Sequence, residues 1–179
     1  MTAMRMRSFI MALVVLSLVE PGLAAPVFLH HAKIVLTKQR IGDWEVEISR
    51  DPFSERQTCR LRAANHAAFY ANGAVAFRFK SRWDLREAVY RVDGAAPRHS
   101  RDDLPQLLAL KVPIDRGGMD NASGGLVWIP YDRLVEANQV TIQAQPNRKP
   151  SDFQFRGLRA LHDIAIARGC APDSRFVER

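Results

Sequence analysis

The residues best suited to chemistry lie in one segment, residues 115–125, which combines carboxylates, an amide, a hydroxyl and glycines. Its candidate binding residues are Asp115, Asp120, Asn121 and Ser123. Oxygen ligands of these kinds are the ones that Ca²⁺ takes in proteins, and glycine-rich backbone can present N–H groups to an anion. The spacing is not that of an EF-hand loop, because an arginine and a glycine follow the first aspartate. The alternative is a surface loop in which the Asp and Asn side chains form local turns.

Signatures of catalysis are missing from the sequence, which has no G-x-S-x-G, H-E-x-x-H, S-x-x-K or Walker-type glycine motif. The histidines are scattered, at positions 30, 31, 66, 99 and 162. We therefore assign no catalytic residue, metal site or cofactor. A catalytic site is recognised by geometry rather than by sequence position, however. The alternative to a non-catalytic protein is a small hydrolase or inhibitor-like module, with a site near the 115–125 segment, Asp84 and His99.

Trp83 is a candidate contact residue, together with Arg82, in the polar turn at residues 81–84. Tryptophan and arginine are enriched among the residues that contribute most to protein interfaces. The alternative is that the indole folds back over the strands.

The first 24 residues are typical of an export signal. Two arginines precede an uncharged apolar run of 11 residues, 9–19, and small residues follow it. A transmembrane helix needs about 20 apolar residues, so the run is too short to span a bilayer. We expect cleavage after Ala24, which would leave a single extracytoplasmic domain, residues 25–179, in the periplasm or outside a bacterial cell.

The expected mature domain contains 24 basic and 18 acidic residues, a net charge of +6. In the cytosol such a balance would suggest nucleic acid as a partner, but outside it the polyanions are anionic lipids and glycans. No run of five basic residues occurs, so a solvated arginine-rich surface is the alternative. The predicted function is an exported, non-catalytic envelope protein that binds a protein, a glycan or a lipid surface, and not nucleic acid.

Alternating apolar and polar residues predict that the first half of the chain is mostly strands. The clearest alternation covers residues 44–49, 58–63 and 75–80. Turn signals separate these segments, at Asp51-Pro52 and Asn72-Gly73, and another strand ends at Asp93-Gly94. Short turns between alternating strands favour an antiparallel sheet or sandwich.

The second half predicts two main helices, which makes the fold class α+β. Asp102 or Asp103 can cap the first helix, with Pro105 in its first turn. Apolar residues at helical spacing in 156–168 predict the second, with Gly169 as its C-terminal cap. Three short strands are predicted between and beside them, at 125–129, 140–144 and 153–155.

The chain has two cysteines, Cys59 and Cys170. An even number in an oxidising compartment favours a disulfide, which would tie the C-terminal helix to the strands. Neither cysteine lies in a C-x-x-C motif or at metal-ligand spacing from a histidine. Two separate thiols are the alternative.

Gly42-Asp43-Trp44-Glu45-Val46, followed by Cys59-Arg60-Leu61, resembles the opening of the invasion-associated locus B family of exported proteobacterial proteins. Residues 153–161 are similar to that family's ending, in which an F-x-x-x-G segment leads into a terminal helix. The resemblance implies a periplasmic or surface β-rich domain without known catalytic residues, associated with host interaction in some members. The family usually has a cysteine shortly after the tryptophan strand, but Glu47 and Ile48 stand there in this chain. Only Cys170 is then left to pair with Cys59.

Overall fold

The computed structural model describes residues 34–79, 88–112 and 125–170, which form two antiparallel sheets and two α-helices. In spatial order, the larger sheet contains β1 (Ile34–Ile41), β2 (Trp44–Arg50), β3 (Gln57–Ala63), β4 (Ala68–Ala71), β5 (Ala74–Arg78) and β8 (Leu126–Pro130). The smaller sheet contains β10 (Ser151–Gln154), β9 (Gln139–Gln143), β6 (Val89–Val92) and β7 (Arg98–His99). The helices are α1 (Leu104–Ala109) and α2 (Leu158–Ala167). The predicted α+β class is confirmed.

The hairpin between β4 and β5 shows how local sequence sets the strand order. Asn72 and Gly73 form its two-residue turn with φ values of 49° and 75°. Two-residue hairpin turns of this kind need positive φ at both positions, which Asn and Gly adopt most readily. The turn therefore folds β5 back against β4, as the Asn-Gly pair predicts.

The main core lies between the inner faces of the two sheets and α2. The inner residues of β2 are almost fully buried, because every second side chain of a strand points to the same face. They pack with residues from both sheets and the helix, among them Trp44, Val46, Leu61, Phe77, Ile142 and Leu161. The rings of Phe77 and Phe153 lie 4.8 Å apart between centroids, edge to face, which joins the two sheets directly.

A second, smaller apolar layer covers part of the larger sheet's outer face. Leu107 of α1 and Val112 pack against Ala74, Ala76 and Trp128 of β5 and β8. These two strands are therefore buried on both faces. The outer face of β1, β2 and β3 lies outside this layer and carries polar side chains.

A disulfide between Cys59 of β3 and Cys170 holds the end of α2 against the larger sheet, with the two Cα atoms 5.9 Å apart. The predicted disulfide is thus confirmed. Closing a loop of 111 residues restricts the unfolded chain, which the chain-entropy treatment values at roughly 5 kcal/mol. Beside it, the side-chain amide of Gln57 donates a 2.8 Å hydrogen bond to the backbone oxygen of Arg168.

The turn between β1 and β2 packs against the start of α2, backbone to backbone. Gly42 has φ +57° and Gly157 has φ +94°, and a Cβ at either position would overlap the backbone of the other segment. The indole N–H of Trp44 donates a 3.0 Å hydrogen bond to the backbone oxygen of Gln154. The segments around Trp44 and Phe155, which lie far apart in the sequence, are therefore in direct contact.

The expected export signal, residues 1–24, lies outside the described residues. Among the residues that are described, no helix has the length and apolar character needed to cross a bilayer.

Candidate functional site

The site residues predicted from the sequence fall mostly outside the described ranges. This applies to both predicted groups, Asp115, Asp120, Asn121 and Ser123 of the loop, and Arg82 and Trp83 of the turn, as well as to Asp84. These assignments stay predictions. His99 is described and lies in β7 on the smaller sheet. Cys59 and Cys170 are the predicted pair that the fold brings together.

Charged side chains cover the outer face of β1, β2 and β3. The strand register aligns its side chains in two rows that run across the strands. The first row is Lys38–Glu47–Arg60 and the second is Arg40–Glu45–Arg62. Each row has a carboxylate on the middle strand and a cation on either side. This arrangement follows from the alternation of β2 and β3, whose apolar residues occupy the opposite face.

The two carboxylates in these rows are both engaged by arginines of β3. Arg62 Nε lies 2.6 Å from Glu45 Oε1, and Arg60 Nη1 lies 3.8 Å from Glu47 Oε1. Lys38 and Arg40, both exposed on β1, form no ion pair with any residue that the structure describes. Positive charge is therefore concentrated along the β1 edge of this face.

The cationic surface extends onto β5 through an aromatic residue. The guanidinium carbon of Arg78 lies 5.1 Å from the ring centroid of Phe69, a cation–π contact. Phe69 is in turn held edge to face by Trp128, with ring centroids 5.5 Å apart. We call the surface formed by Lys38, Arg40, Arg60, Arg62 and Arg78, with Glu45 and Glu47 between them, the basic face.

Sequence reasoning did not identify the basic face. Its cations are separated by up to 40 residues along the chain and are placed side by side only by strand pairing. In the sequence, the basic face is indicated only by the charge on alternate residues of β2 and β3. That pattern does not predict the face, because Lys38 and Arg40 join it through the pairing of β1 with β2.

A second group of charged residues surrounds the buried carboxylate of Asp103. Asp103 precedes α1, as the capping prediction requires, but its side chain makes no cap hydrogen bond. Instead, the Tyr90 hydroxyl donates a 2.5 Å hydrogen bond to Asp103 Oδ2. Arg133 Nε lies 2.8 Å from Asp103 Oδ1 as an ion pair, and Arg98 Nη2 lies 3.6 Å from the same oxygen.

The prediction named Asp102 or Asp103 as the cap. Asp103 occupies the N-cap position of α1, but long-range partners engage its carboxylate. Asp102 instead accepts a hydrogen bond from the His99 backbone N–H at the start of the preceding helical turn.

The Tyr90 hydroxyl is held in its protonated form. Burial and the adjacent Asp103 carboxylate raise the pKa of Tyr90 far above its ordinary value. Tyr90 therefore remains a hydrogen-bond donor across the physiological range. Tyr90 satisfies one carboxylate oxygen by a hydrogen bond, and the two arginines lie within ion-pair distance of the other, although Asp103 Oδ1 and Arg133 Nε form no hydrogen bond with each other. We assign this cluster to stability.

A second polar cluster combines Tyr70 of β4, Tyr131 after β8 and His162 of α2. The His162 ring lies 4.5 Å from that of Tyr131 and 5.1 Å from that of Tyr70, between centroids. His162 Nε2 lies 3.3 Å from the Tyr70 hydroxyl oxygen. The Tyr131 hydroxyl is buried and has no hydrogen-bond partner within the described ranges.

Burial determines the protonation of this cluster. It raises the pKa of Tyr131 to about 12, and it lowers the pKa of His162 against the opposing effect of Asp163. The distance from His162 Nδ1 to Asp163 Oδ1 is 3.7 Å, too long for the hydrogen bond that orients a catalytic histidine. The cluster can respond to pH, but it lacks the geometry of a relay for proton transfer.

Within the described ranges, no group of three His, Cys, Asp or Glu side chains is placed to hold a metal ion. Comparison with family models, with curated proteins and with solved structures finds no match to this chain. The resemblance to the invasion-associated locus B family therefore stays a prediction.

Proposed function

We propose that this chain is a non-catalytic binding module of the bacterial envelope and that its basic face docks on an anionic partner. The observation that carries the proposal is the composition of this face, which contains five cations and two carboxylates. Both carboxylates are already engaged by β3 arginines, so Lys38 and Arg40 are available to a partner.

The spacing of the cations suits a repeating anionic surface. Neighbouring strands lie about 4.8 Å apart, so cations on β1 and β3 in the same row are separated by roughly 10 Å. Single exposed ion pairs contribute about 1 kcal/mol or less, so useful affinity requires several of them at once. A flat face with two rows of cations meets this requirement.

An extracytoplasmic location supports the same proposal. The Cys59–Cys170 disulfide is typical of oxidising compartments, and the first 24 residues are typical of an export signal. Lipopolysaccharide, anionic lipids and acidic glycans are the polyanions available there. The alternative, a hydrolase or inhibitor-like module near residues 115–125, concerns a segment that lies almost entirely outside the described residues and stays a prediction.

The proposal is tested by reversing one charge on the basic face. We expect Lys38→Glu to weaken binding to immobilised lipopolysaccharide or heparin about tenfold, since each cation near an anionic surface contributes about 1 kcal/mol and reversal adds repulsion. Binding of the unmodified protein should fall steeply as salt rises. Surface plasmon resonance across a salt series measures both effects.

The matched control is Lys149→Glu, which makes the same change at an exposed lysine between β9 and β10, away from the basic face. Its affinity should stay close to that of the unmodified protein. Equal losses for the two variants, or binding that ignores salt, would show that the basic face is not the docking surface.

A further inference from the structure

One corner of the larger sheet exposes a group of large apolar side chains. Ile34, Val35 and Leu36, the first residues of β1, have exposed fractions of 52%, 54% and 52%, and Phe53 has 74%. Ile34 pairs with Arg50, the last residue of β2, and Phe53 follows three residues later. We call these four residues the apolar corner. Among the described residues, the other exposed large hydrophobics are Leu108 and Ile166, on the helices.

The local geometry of β1 keeps these side chains in solvent. A β-bulge interrupts the pairing with β2 between Val35 and Thr37, so that Leu36 lies at the irregularity. Bulges on edge strands redirect side chains and end regular pairing. Three consecutive apolar residues exposed on an edge strand are otherwise an aggregation hazard, which proteins avoid unless the surface has a use.

The apolar corner borders the basic face. Val35 pairs with Ser49 and Lys38 pairs with Glu47. Because Ser49 and Glu47 lie on the same side of β2, Lys38 follows Val35 on the outer face of β1. Apolar side chains next to Lys and Arg are the composition of protein segments that lie in the interface of an anionic bilayer.

The turn that carries Phe53 adds no net positive charge. Arg50 and Arg56 flank Phe53, but Asp51 and Glu55 lie between them, and Glu55 forms a 3.0 Å ion pair with Arg50. The positive charge beside the corner therefore comes from the basic face.

The same cations argue against a second copy of the chain as the occupant. Antiparallel pairing of β1 with the β1 of another copy, when centred near Gln39, would place Lys38 of each copy opposite Arg40 of the other. Like charges facing each other across strands are destabilising. An anionic bilayer avoids this repulsion, because its headgroups neutralise the cations while its acyl boundary accepts the apolar side chains.

We propose that the apolar corner, Ile34, Val35, Leu36 and Phe53, inserts into the headgroup region of an anionic lipid bilayer while the adjacent basic face rests on the phosphates. This inference rests on the proposed function and specifies its partner. The protein is then a peripheral membrane binder. Its positive charge attracts it to the bilayer, and the inserted apolar side chains slow its release.

The test compares two exposed leucines in vesicle co-sedimentation, using vesicles of phosphatidylcholine with roughly 30 mol % phosphatidylglycerol. We expect Leu36→Ser to weaken binding about five- to tenfold, because a half-exposed leucine buried in the interface loses its transfer free energy. Leu108→Ser, the same change at 58% exposure on α1, should leave binding unchanged. The unmodified protein and both variants carry the same N-terminal residues, so any contribution of those residues to vesicle binding is the same in all three samples.

Phe53→Trp reports insertion directly. Trp44 and Trp128 are buried. The substitution is made together with Trp83→Phe, so that the indole at position 53 gives the main change in fluorescence on adding vesicles. We expect a blue shift with the anionic vesicles, quenching by brominated lipid, and neither effect with pure phosphatidylcholine.

The outcomes separate this inference from the proposed function. If Leu36→Ser binds anionic vesicles like the unmodified protein while Lys38→Glu does not, insertion is overturned and the basic face stands. If neither vesicles, lipopolysaccharide nor heparin are bound, both fail. Equal binding to neutral vesicles overturns the anionic requirement. A dimer that Leu36→Ser converts to a monomer, with vesicle binding unchanged, would assign the corner to a second copy and overturn the lipid proposal.

Discussion

The molecule contains two tyrosine clusters that differ in whether the tyrosine hydroxyl has a hydrogen-bond partner. Tyr90 donates its hydroxyl proton to Asp103, whose other oxygen faces Arg133 and Arg98. Tyr131 is partly buried beside His162, and its hydroxyl is buried without a partner within the described ranges. Burial raises the pKa of both phenols. Burial of a hydroxyl therefore stabilises the fold only where a partner accepts its hydrogen bond.

The largest effect is expected from removing the carboxylate of Asp103 from the cluster that contains Tyr90. Asp103→Ala should lower the free energy of unfolding by about 3 kcal/mol or more, because removing one member of a buried ion pair leaves its partners uncompensated. Here the Tyr90 hydroxyl loses its acceptor and Arg133 loses its ion-pair partner. Urea denaturation followed by circular dichroism measures the change.

Asp102→Ala is the control for this prediction. Asp102 is the neighbouring residue and is exposed to solvent. Its carboxylate accepts a 3.3 Å hydrogen bond from the His99 backbone N–H. Its loss should cost about 1 kcal/mol or less. Similar losses for the two alanine variants would mean that the cluster around Asp103 has no special contribution.

The same chemical change at the two tyrosines tests the comparison itself. Tyr90→Phe removes a hydrogen bond to a charged group and should cost about 1.5–3 kcal/mol. Tyr131→Phe removes a buried hydroxyl that has no described partner, so the free energy of unfolding should change by about 0.5 kcal/mol or less, or rise. Denaturation midpoints of the two variants, measured side by side, check the ordering. A loss at Tyr131 equal to that at Tyr90 would contradict it.

Local patterns sufficed to predict the strands that have one buried face. β2 and β3 alternate because their inner residues enter the core, and the Asn72-Gly73 turn was visible in the sequence. β1 was not predicted, since an exposed edge strand with a bulge has no alternation. β4 was also missed, because its four residues are largely buried and lack a polar face.

The candidate site depended on contacts between distant residues, which local patterns do not contain. The start of α1 was predicted correctly from Asp103 and Pro105, but the role of Asp103 depends on Tyr90 and Arg133, on other elements. The basic face likewise needed the pairing of β1 with β2. Helix starts and turns are set by neighbours in the chain, whereas buried ion pairs and surface charge patterns are set by the fold.

The smallest effect is expected from the titration of His162, in the cluster with Tyr70 and Tyr131. Desolvation lowers the pKa of His162 in the folded protein below its ordinary value of about 6.5. The groups facing it are Tyr70 and Tyr131, while Asp163, adjacent on α2, partly opposes the shift. The folded state therefore binds fewer protons than the unfolded state in this range.

Since the folded pKa is the lower one, the contribution of His162 to stability is fully present above about pH 6.5 and is lost as the pH falls towards the folded pKa. We expect His162→Gln to flatten the decline in the free energy of unfolding between about pH 7 and pH 5. His66→Gln makes the same change at an exposed histidine and should leave that slope almost unchanged. Urea denaturation at several pH values gives both slopes. An identical decline in the His162 variant would show that the burial of His162 has no effect on the pH dependence of stability.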